Sequence, residues 1–330
     1  MKTKVTKAKQ IGVDLFGAPV IQDPLLRDRF LEPPFTVLDT KTAGWQNRKR
    51  LWIAKGIKSE VGRDGNITFA NSAQSPGVYE FRNKINAQRR AEGKPDITWE
   101  ELTKKAEEEG INLMGGTSVF DPSLTELLYR WFCPEGGEII DPFAGGSVRG
   151  VVAHYLGYHY TGIELRPEQV KANRDNSLEI LPVNNQPQWY EGDSDQVLDG
   201  DWRGKKFDFL FSCPPYFDLE VYSDIPEDLS NMDYNHFQNK YRSIIFKAAK
   251  MLKQDAYACF VVTEVRNKFG FYINFIGETI EAFRLAGCGF YNDAVLLNTI
   301  GSAAIRANRQ FCAGQKLVRL HENVLVFKKL

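Results

Sequence analysis

Between residues 120 and 330 the apolar positions fall into short runs separated by stretches with helical spacing. The runs are EIIDPF (138–143), YHYTGIEL (158–165), QWYEG (188–192), FDFLFS (207–212), AYACFVVT (256–263), FYNDAVLLN (290–298) and HENVLVFKK (321–329). An amphipathic helix, PSLTELLYRWF (122–132), precedes the first run, and helical stretches at 147–156, 167–180, 234–253 and 271–286 separate most of the others. Alternation of this kind predicts a mostly parallel sheet covered on both faces, with ligands bound beyond the carboxyl ends of its strands. No helix is predicted between the last two runs, so they are expected to pair as an antiparallel hairpin at one edge. The expected fold is thus Rossmann-like α/β, with seven strands.

Upstream of about residue 110 few apolar repeats organise the chain. EPPF (32–35), NRKR (47–50), GRDGN (62–66) and NSAQSPG (71–77) read as turns, basic segments and loops, followed by a charged, helix-leaning stretch at 78–109. The expected division is an irregular, basic N-terminal extension, 1–110, and an α/β domain, 111–330. EPPF lacks a preceding strand and reads as a structural turn.

Composition changes this picture only locally. Lys+Arg and Asp+Glu both number 42, yet residues 1–60 hold twelve basic residues against six acidic, and residues 296–330 hold six against one, Glu322. Both ends are basic, which suits a polyanionic partner. The five cysteines show no ligand spacing and do not cluster with the four histidines, so no metal site and a reducing compartment are expected. Without a signal-peptide core or an apolar stretch of about 18 residues, the expected location is the cytosol, away from membranes.

Candidate chemistry sits at the strand ends. DPFAGGSVRG (141–150) leaves the first strand through a small-residue turn in which Gly145 and Gly146 let a ligand approach the backbone. It is neither a G-x-G-x-x-G fingerprint nor a P-loop. The turn therefore argues against NAD and ATP and for a ligand whose cationic group faces Asp141. The second run ends in Glu164, an acceptor for ribose hydroxyls, and the third in Gly192-Asp193, an acceptor for an adenine amino group. An acid at a strand end is commonly a turn or helix cap. Three in order after a glycine turn describe a nucleoside with a cationic tail. The fourth run closes in Cys213-Pro214-Pro215-Tyr216, where two prolines cannot extend a ladder and present one ring at a rigid tip.

Together these segments resemble the S-adenosylmethionine-dependent amino-methyltransferases that act on DNA bases, above all those of phages and prophages. DPFAGGS is similar to their cofactor motif, FDPSLTELLYRWFCPEGG (120–137) to the segment before it, and Cys213-Pro-Pro-Tyr to their D/N/S-P-P-Y/F/W catalytic turn. The resemblance covers about 120–330 and implies a Rossmann-like methyltransferase fold, S-adenosyl-L-methionine as cofactor and DNA as partner, in the host cytoplasm if the protein is phage-encoded. By this resemblance Asp141 would face the methionine ammonium, with Phe120 in the segment covering that end. Phe143, Ala144 and Gly145 would shape the pocket, Glu164 would bind ribose and Asp193 would lie by adenine.

The chemistry implied is methyl transfer to an exocyclic amine, N6 of adenine or N4 of cytosine, on a base rotated out of the duplex. Acceptors aimed at the amino hydrogens favour a more tetrahedral nitrogen. The Pro214 carbonyl is one such acceptor and the side chain of residue 213 the other, with Tyr216 stacking on the base. A thiol is a weak acceptor. Either Pro214 therefore carries most of the polarisation, or Ser212 or Asp218 supplies the second acceptor; the first is preferred because side chains alternate along a strand. A thiolate attack on the ring is rejected because that nucleophile would follow the proline. About 65 residues separate the two motifs, so target recognition falls to the N-terminal 110 residues, the acidic loop 217–232 or the segment 301–319. Arg48, Lys49 and Arg50, with Arg306, Arg309 and Lys316, are the candidate DNA contacts. The alternatives are an RNA base methyltransferase and a non-catalytic, cofactor-binding DNA module.

Overall fold

The structure, a computed structural model, describes residues 9–13, 19–22, 30–57, 76–95, 97, 101, 102, 105, 120–216, 225–267, 269–298 and 303–330. Ten strands and nine α-helices are assigned among them. In chain order they are β1 (Lys9–Val13), β2 (Pro19–Gln22), β3 (Val37–Asp39), α1 (Ala43–Ile53), α2 (Pro76–Ala91), α3 (Pro122–Phe132), β4 (Glu138–Asp141) and α4 (Val148–Tyr155). There follow β5 (His159–Glu164), α5 (Pro167–Ile180), β6 (Gln188–Glu191), α6 (Ser194–Val197), β7 (Phe207–Ser212), α7 (Tyr234–Lys250) and β8 (Leu252–Val262). The chain closes with α8 (Phe275–Leu285), β9 (Cys288–Leu297), α9 (Ala303–Gly314) and β10 (His321–Lys329).

The main sheet has eight strands in the order β3-β9-β10-β8-β7-β4-β5-β6, while β1 and β2 form a separate antiparallel pair. Only β10 runs against the others, between β8 and β9. The chain winds outward from β4 through β5 to β6, then returns to place β7 on the other side of β4. That reversal opens a crevice beyond the carboxyl ends of β4 and β7, where open α/β sheets bind ligands.

Alternation along the strands sorts the core into two layers. Ile139, Phe209, Phe211, Val261 and Val326 join Leu124, Leu128 and Val151 on one face. Ile140, Leu210, Phe260, Leu325 and Phe327 join Phe237, Ile245 and Phe283 on the other. Strands that are apolar on both sides are those a doubly wound sheet buries. The Rossmann-like architecture is thus as expected, with three differences. The sheet has eight strands because β3 lies parallel against β9, with Val37 to Asp39 opposite Val295 to Leu297. α1 packs on α3, so residues 37–57 belong to the body of the domain expected to begin at 111. β9 and β10 pair antiparallel as expected, but α9 lies between them in the chain and β3 takes the sheet edge outside them. Among the described residues no helix is long and apolar enough to cross a membrane.

Candidate active site

The glycine turn after β4 is held from several sides. Gly145 N–H donates to Glu164 Oε2 at 2.9 Å, Asn173 Nδ2 donates to the Gly145 carbonyl at 2.7 Å, and Ala144 N–H donates to the Ile163 carbonyl at 3.0 Å. Gly145 has φ +53°, and an added Cβ there would meet no atom within 4 Å, so the backbone lies bare against the crevice.

Asp141 does not face that crevice, which corrects the expectation that it meets a ligand's cationic group. Its carboxylate is fully buried and receives four donors from the protein. Phe143 N–H (3.2 Å) and Ser212 Oγ (2.5 Å) donate to Oδ1; Arg149 Nε (2.5 Å) and Tyr160 OH (2.7 Å) donate to Oδ2. The cation beside Asp141 is the chain's own. Arg149 also donates to the carbonyls of Phe143 and Ala144, at 2.6 and 2.9 Å, and lies 4.6 Å from the Phe120 ring centre. Burial pulls its guanidinium down, but the Asp141 charge overrides this and leaves it above its ordinary value. Ser212 is likewise spent on Asp141, in agreement with its side chain pointing away from the reacting turn.

A cavity of about 560 Å³ runs across the carboxyl ends of β4, β5 and β7. Phe120, Phe143, Ala144, Gly145, Glu164 and Asp193 line one part, and Cys213, Pro214, Pro215 and Tyr216 another. Of the predicted catalytic and cofactor-binding residues only Asp141 is missing from the lining. Glu164 also accepts from Arg166 N–H at 3.1 Å and pairs with its guanidinium at 3.5 Å. Asp193 caps α6 by accepting from Asp195 N–H, and its Oδ2 lies 2.9 Å from Lys240 Nζ. The Phe143 ring leans on Tyr241 and Phe260. Glu227, Asp228 and Leu229, from the acidic loop, line the same space; Asp218 lies outside the described residues.

The Cys213-Pro-Pro-Tyr turn stands at the end of β7. Among the described residues no group donates to the Pro214 carbonyl, as expected of a turn that leaves its ladder. Cys213 Sγ is 3.2 Å from Tyr216 OH. Burial first, and the Glu322 charge second, push this thiol up to about 12, so it is protonated at neutral pH. Tyr216 OH donates to Glu322 Oε1 at 2.9 Å, and its ring packs edge-on against Phe275. Sequence reasoning overlooked Glu322, Arg149 and Lys240. The one available signal was that Glu322 is the sole acid in an otherwise basic C-terminal stretch.

The basic segments behave differently from one another. Residues 45–50 lie in α1, which is pinned to α3: Trp45 Nε1 donates to Asp121 Oδ2 at 3.0 Å and Trp52 Nε1 to Glu126 Oε2 at 2.9 Å. Arg48 pairs with the buried Glu126 at 3.3 Å and Lys49 with Asp121 at 3.4 Å. They neutralise α3 acids, which corrects their reading as outward phosphate contacts; Lys49 lines the cavity instead. Arg50 is exposed and donates to Asn47. Arg309 on α9 and Lys316 just beyond it are exposed, and Arg306 is half-buried.

No family model matches the sequence, and no curated protein matches it. Among solved structures the chain is similar to TrmN from Thermus thermophilus, at 13% identity over 64% of this chain and 49% of that one, with TM-score 0.42. It is similar to a putative SAM-dependent methyltransferase from Streptococcus mutans, at 14% over 66% and 50%, with TM-score 0.45. It is also similar to magnesium protoporphyrin IX methyltransferase from Synechocystis PCC 6803 with bound SAM, at 12% over 79% and 100%, with TM-score 0.40. The chain spans about half the length of the first two. Similarity at this level concerns the fold alone.

Proposed function

We propose that the protein transfers a methyl group from S-adenosylmethionine to the exocyclic amine of a flipped-out adenine or cytosine in DNA. One observation carries this reading: a single cavity is walled both by the glycine turn with Glu164 and Asp193 and by the Cys213-Pro-Pro-Tyr turn. A nucleoside cofactor and a planar amine can meet there.

The residues present fit the cofactor at its nucleoside end and require a revised reading at its amino-acid end. Glu164 lines the cavity at the tip of β5, where ribose hydroxyls would reach it, and the bare Gly145 backbone admits close approach. Asp193 is shared with Lys240, so an adenine amino group would take a remaining lone pair of its carboxylate. Asp141 holds the turn in shape through Arg149 and makes no direct contact. Lys49, on the cavity wall and 3.4 Å from Asp121, is placed for the methionine carboxylate. The cofactor supplies an electrophilic methyl on a sulfonium that carries its own leaving group. The Pro214 carbonyl then accepts a hydrogen bond from the target amine, drawing its nitrogen toward tetrahedral geometry, while Tyr216 offers a ring face for the base.

Nucleoside mass spectrometry of DNA from cells expressing the protein, beside purified protein assayed with labelled cofactor on duplex DNA and on RNA, tests the reading. N6-methyladenine or N4-methylcytosine in DNA is expected. Label transferred to RNA alone would move the activity to RNA bases, and tight cofactor binding without transfer would make the protein a non-catalytic module.

A further inference from the structure

We propose that Glu322 is the anionic acceptor of the reacting amine, the part that the family's D/N/S position leaves open when it holds a cysteine. This rests on the amino-methyltransferase reading above and assigns a residue within that site.

Residue 213 is poorly suited to the task. Its thiol keeps its proton, is a weak acceptor, and is already engaged with Tyr216 OH at 3.2 Å. The hydroxyl can donate only once. Because it donates to Glu322, the thiol proton points to the tyrosine oxygen, giving a chain from Cys213 through Tyr216 to Glu322. That chain ends on a carboxylate which lines the same cavity as Pro214 and the glycine turn.

Glu322 sits there because β10 alone runs antiparallel: its first residues lie where the other strands end, beside Val261 of β8 and Asn298 after β9. Its surroundings differ from those of three other carboxylates on the cavity wall, which pair with cations. Asp121 pairs with Lys49, Glu164 with Arg166 and Asp193 with Lys240. Glu322 is held by two neutral donors, Tyr216 OH at 2.9 Å on Oε1 and Asn298 Nδ2 at 3.1 Å on Oε2, and among the described residues it pairs with no cation. A carboxylate has about four lone-pair positions, so two neutral donors fix its orientation and leave acceptor capacity. A half-buried anion with no cation beside it favours a partner that becomes positive during the reaction.

The exocyclic nitrogen is such a partner. Its lone pair forms the N–C bond as the methyl's bond to sulfur breaks, and those electrons stay on sulfur as a neutral thioether. The nitrogen, now positive, gives one hydrogen to Glu322 as a proton, and the carboxyl later releases it to water. The Pro214 carbonyl holds the second amino hydrogen throughout. Charge that arrives on nitrogen thus meets an opposite charge fixed in advance.

The test is single-turnover methyl transfer by E322Q, E322D and Y216F on the DNA substrate, with cofactor affinity measured in parallel by calorimetry. E322Q preserves shape and can still accept from Tyr216, so a purely positioning role predicts near-normal rates. The proposal predicts a loss of about 100-fold with cofactor affinity unchanged within about threefold. It also predicts that the wild-type rate falls at low pH and that this fall is absent in E322Q. E322D, with its charge retracted by one methylene, is expected to retain that fall and to lose about tenfold. It carries the test alone if E322Q does not fold. Wild-type rates in E322Q or E322D, or an E322Q loss no greater than that of Y216F with the low-pH fall intact, would overturn the proposal. A wild-type protein that binds cofactor but methylates no base amine would overturn the proposed function, and this inference with it.

Discussion

Replacing Asp141 by asparagine separates a ligand-binding residue from an architectural one. In the wild type, Arg149 Nε and Tyr160 OH converge on Oδ2, and the pair is buried with Asp141 wholly inaccessible. An amide turned to keep Oδ1 for Phe143 N–H and Ser212 would present its NH₂ to the guanidinium. Tyr160 can reverse its hydroxyl; Arg149 cannot, and it would remain a buried charge compensated only by two carbonyls. Removing one partner of a buried pair costs about 3–5 kcal/mol. At about 2 °C per kcal/mol for a chain of this size, melting should fall by roughly 6–10 °C. Urea unfolding followed by tryptophan fluorescence, with calorimetric titration of S-adenosylmethionine on the folded variants, measures both quantities. D141N should lose stability first and cofactor affinity only as the glycine turn loosens. Combining it with R149M removes both charges, so the double variant should be less destabilised than the sum of the singles by about 2 kcal/mol or more. If D141N were as stable as the wild type yet bound cofactor tenfold less tightly, Asp141 would be a direct ligand and the account of the network would be wrong.

Glu164→Ala should weaken cofactor binding by roughly 10- to 150-fold, the worth of a hydrogen bond to a charged group, and an unchanged calorimetric affinity would remove Glu164 from the pocket. With its folded value raised to about 12 from an ordinary 9.0, Cys213 should hold about a thousandfold less thiolate at pH 8 than an ordinary thiol, and its alkylation should quicken steadily as pH rises toward 12. Rapid labelling of Cys213 in the native protein at pH 8, detected by peptide mass spectrometry, would contradict this; the exposed Cys312 should label first. Gly162→Ala would bring a methyl to 2.7 Å from Tyr160 Cε1 and 2.9 Å from Ala144 Cβ, so a loss of about 1–3 kcal/mol in urea unfolding is expected, and an unaffected midpoint would show that Tyr160 moves freely. Neutralising Arg309 and Lys316 together should flatten the salt dependence of DNA binding by about 0.9 per lost phosphate contact, whereas an unaltered slope would return both to ordinary surface.

What the sequence disclosed follows from how local each signal is. Helix 122–132 and strands 207–212 and 321–329 were legible to the residue, because proline at a first turn and period-two apolar runs are short-range features. β3 is three residues long and takes its meaning from Val295 to Leu297, far away in sequence, so no local pattern marks it. α9 was hidden by a polar, alanine-containing stretch whose helical spacing serves only one half-covered face. In the site, the Cys213-Pro-Pro-Tyr turn and Glu164 were readable as motif and strand tip. Asp141 was readable as important but not as buried, since its partner Arg149 lies in a stretch that reads only as the start of a helix. Glu322 announces nothing in its own segment; the direction of β10 brings it to the cavity.

The pairing of β3 with β9 has a temporal side. Thr40 Oγ1 donates to the Leu297 carbonyl at 2.7 Å across 257 residues of chain, so β3 is synthesised long before the strand it pairs with. Until β9 leaves the ribosome, Val37 to Asp39 have no sheet to join, and once β9 is laid down without them it presents an open edge to any other nascent chain. The β3 segment therefore acts as a clasp that shuts only after β9 has been made. A chain shortened to residues 111–330 would keep both motifs and lose the clasp, and its expected failing is self-association during production rather than faulty chemistry.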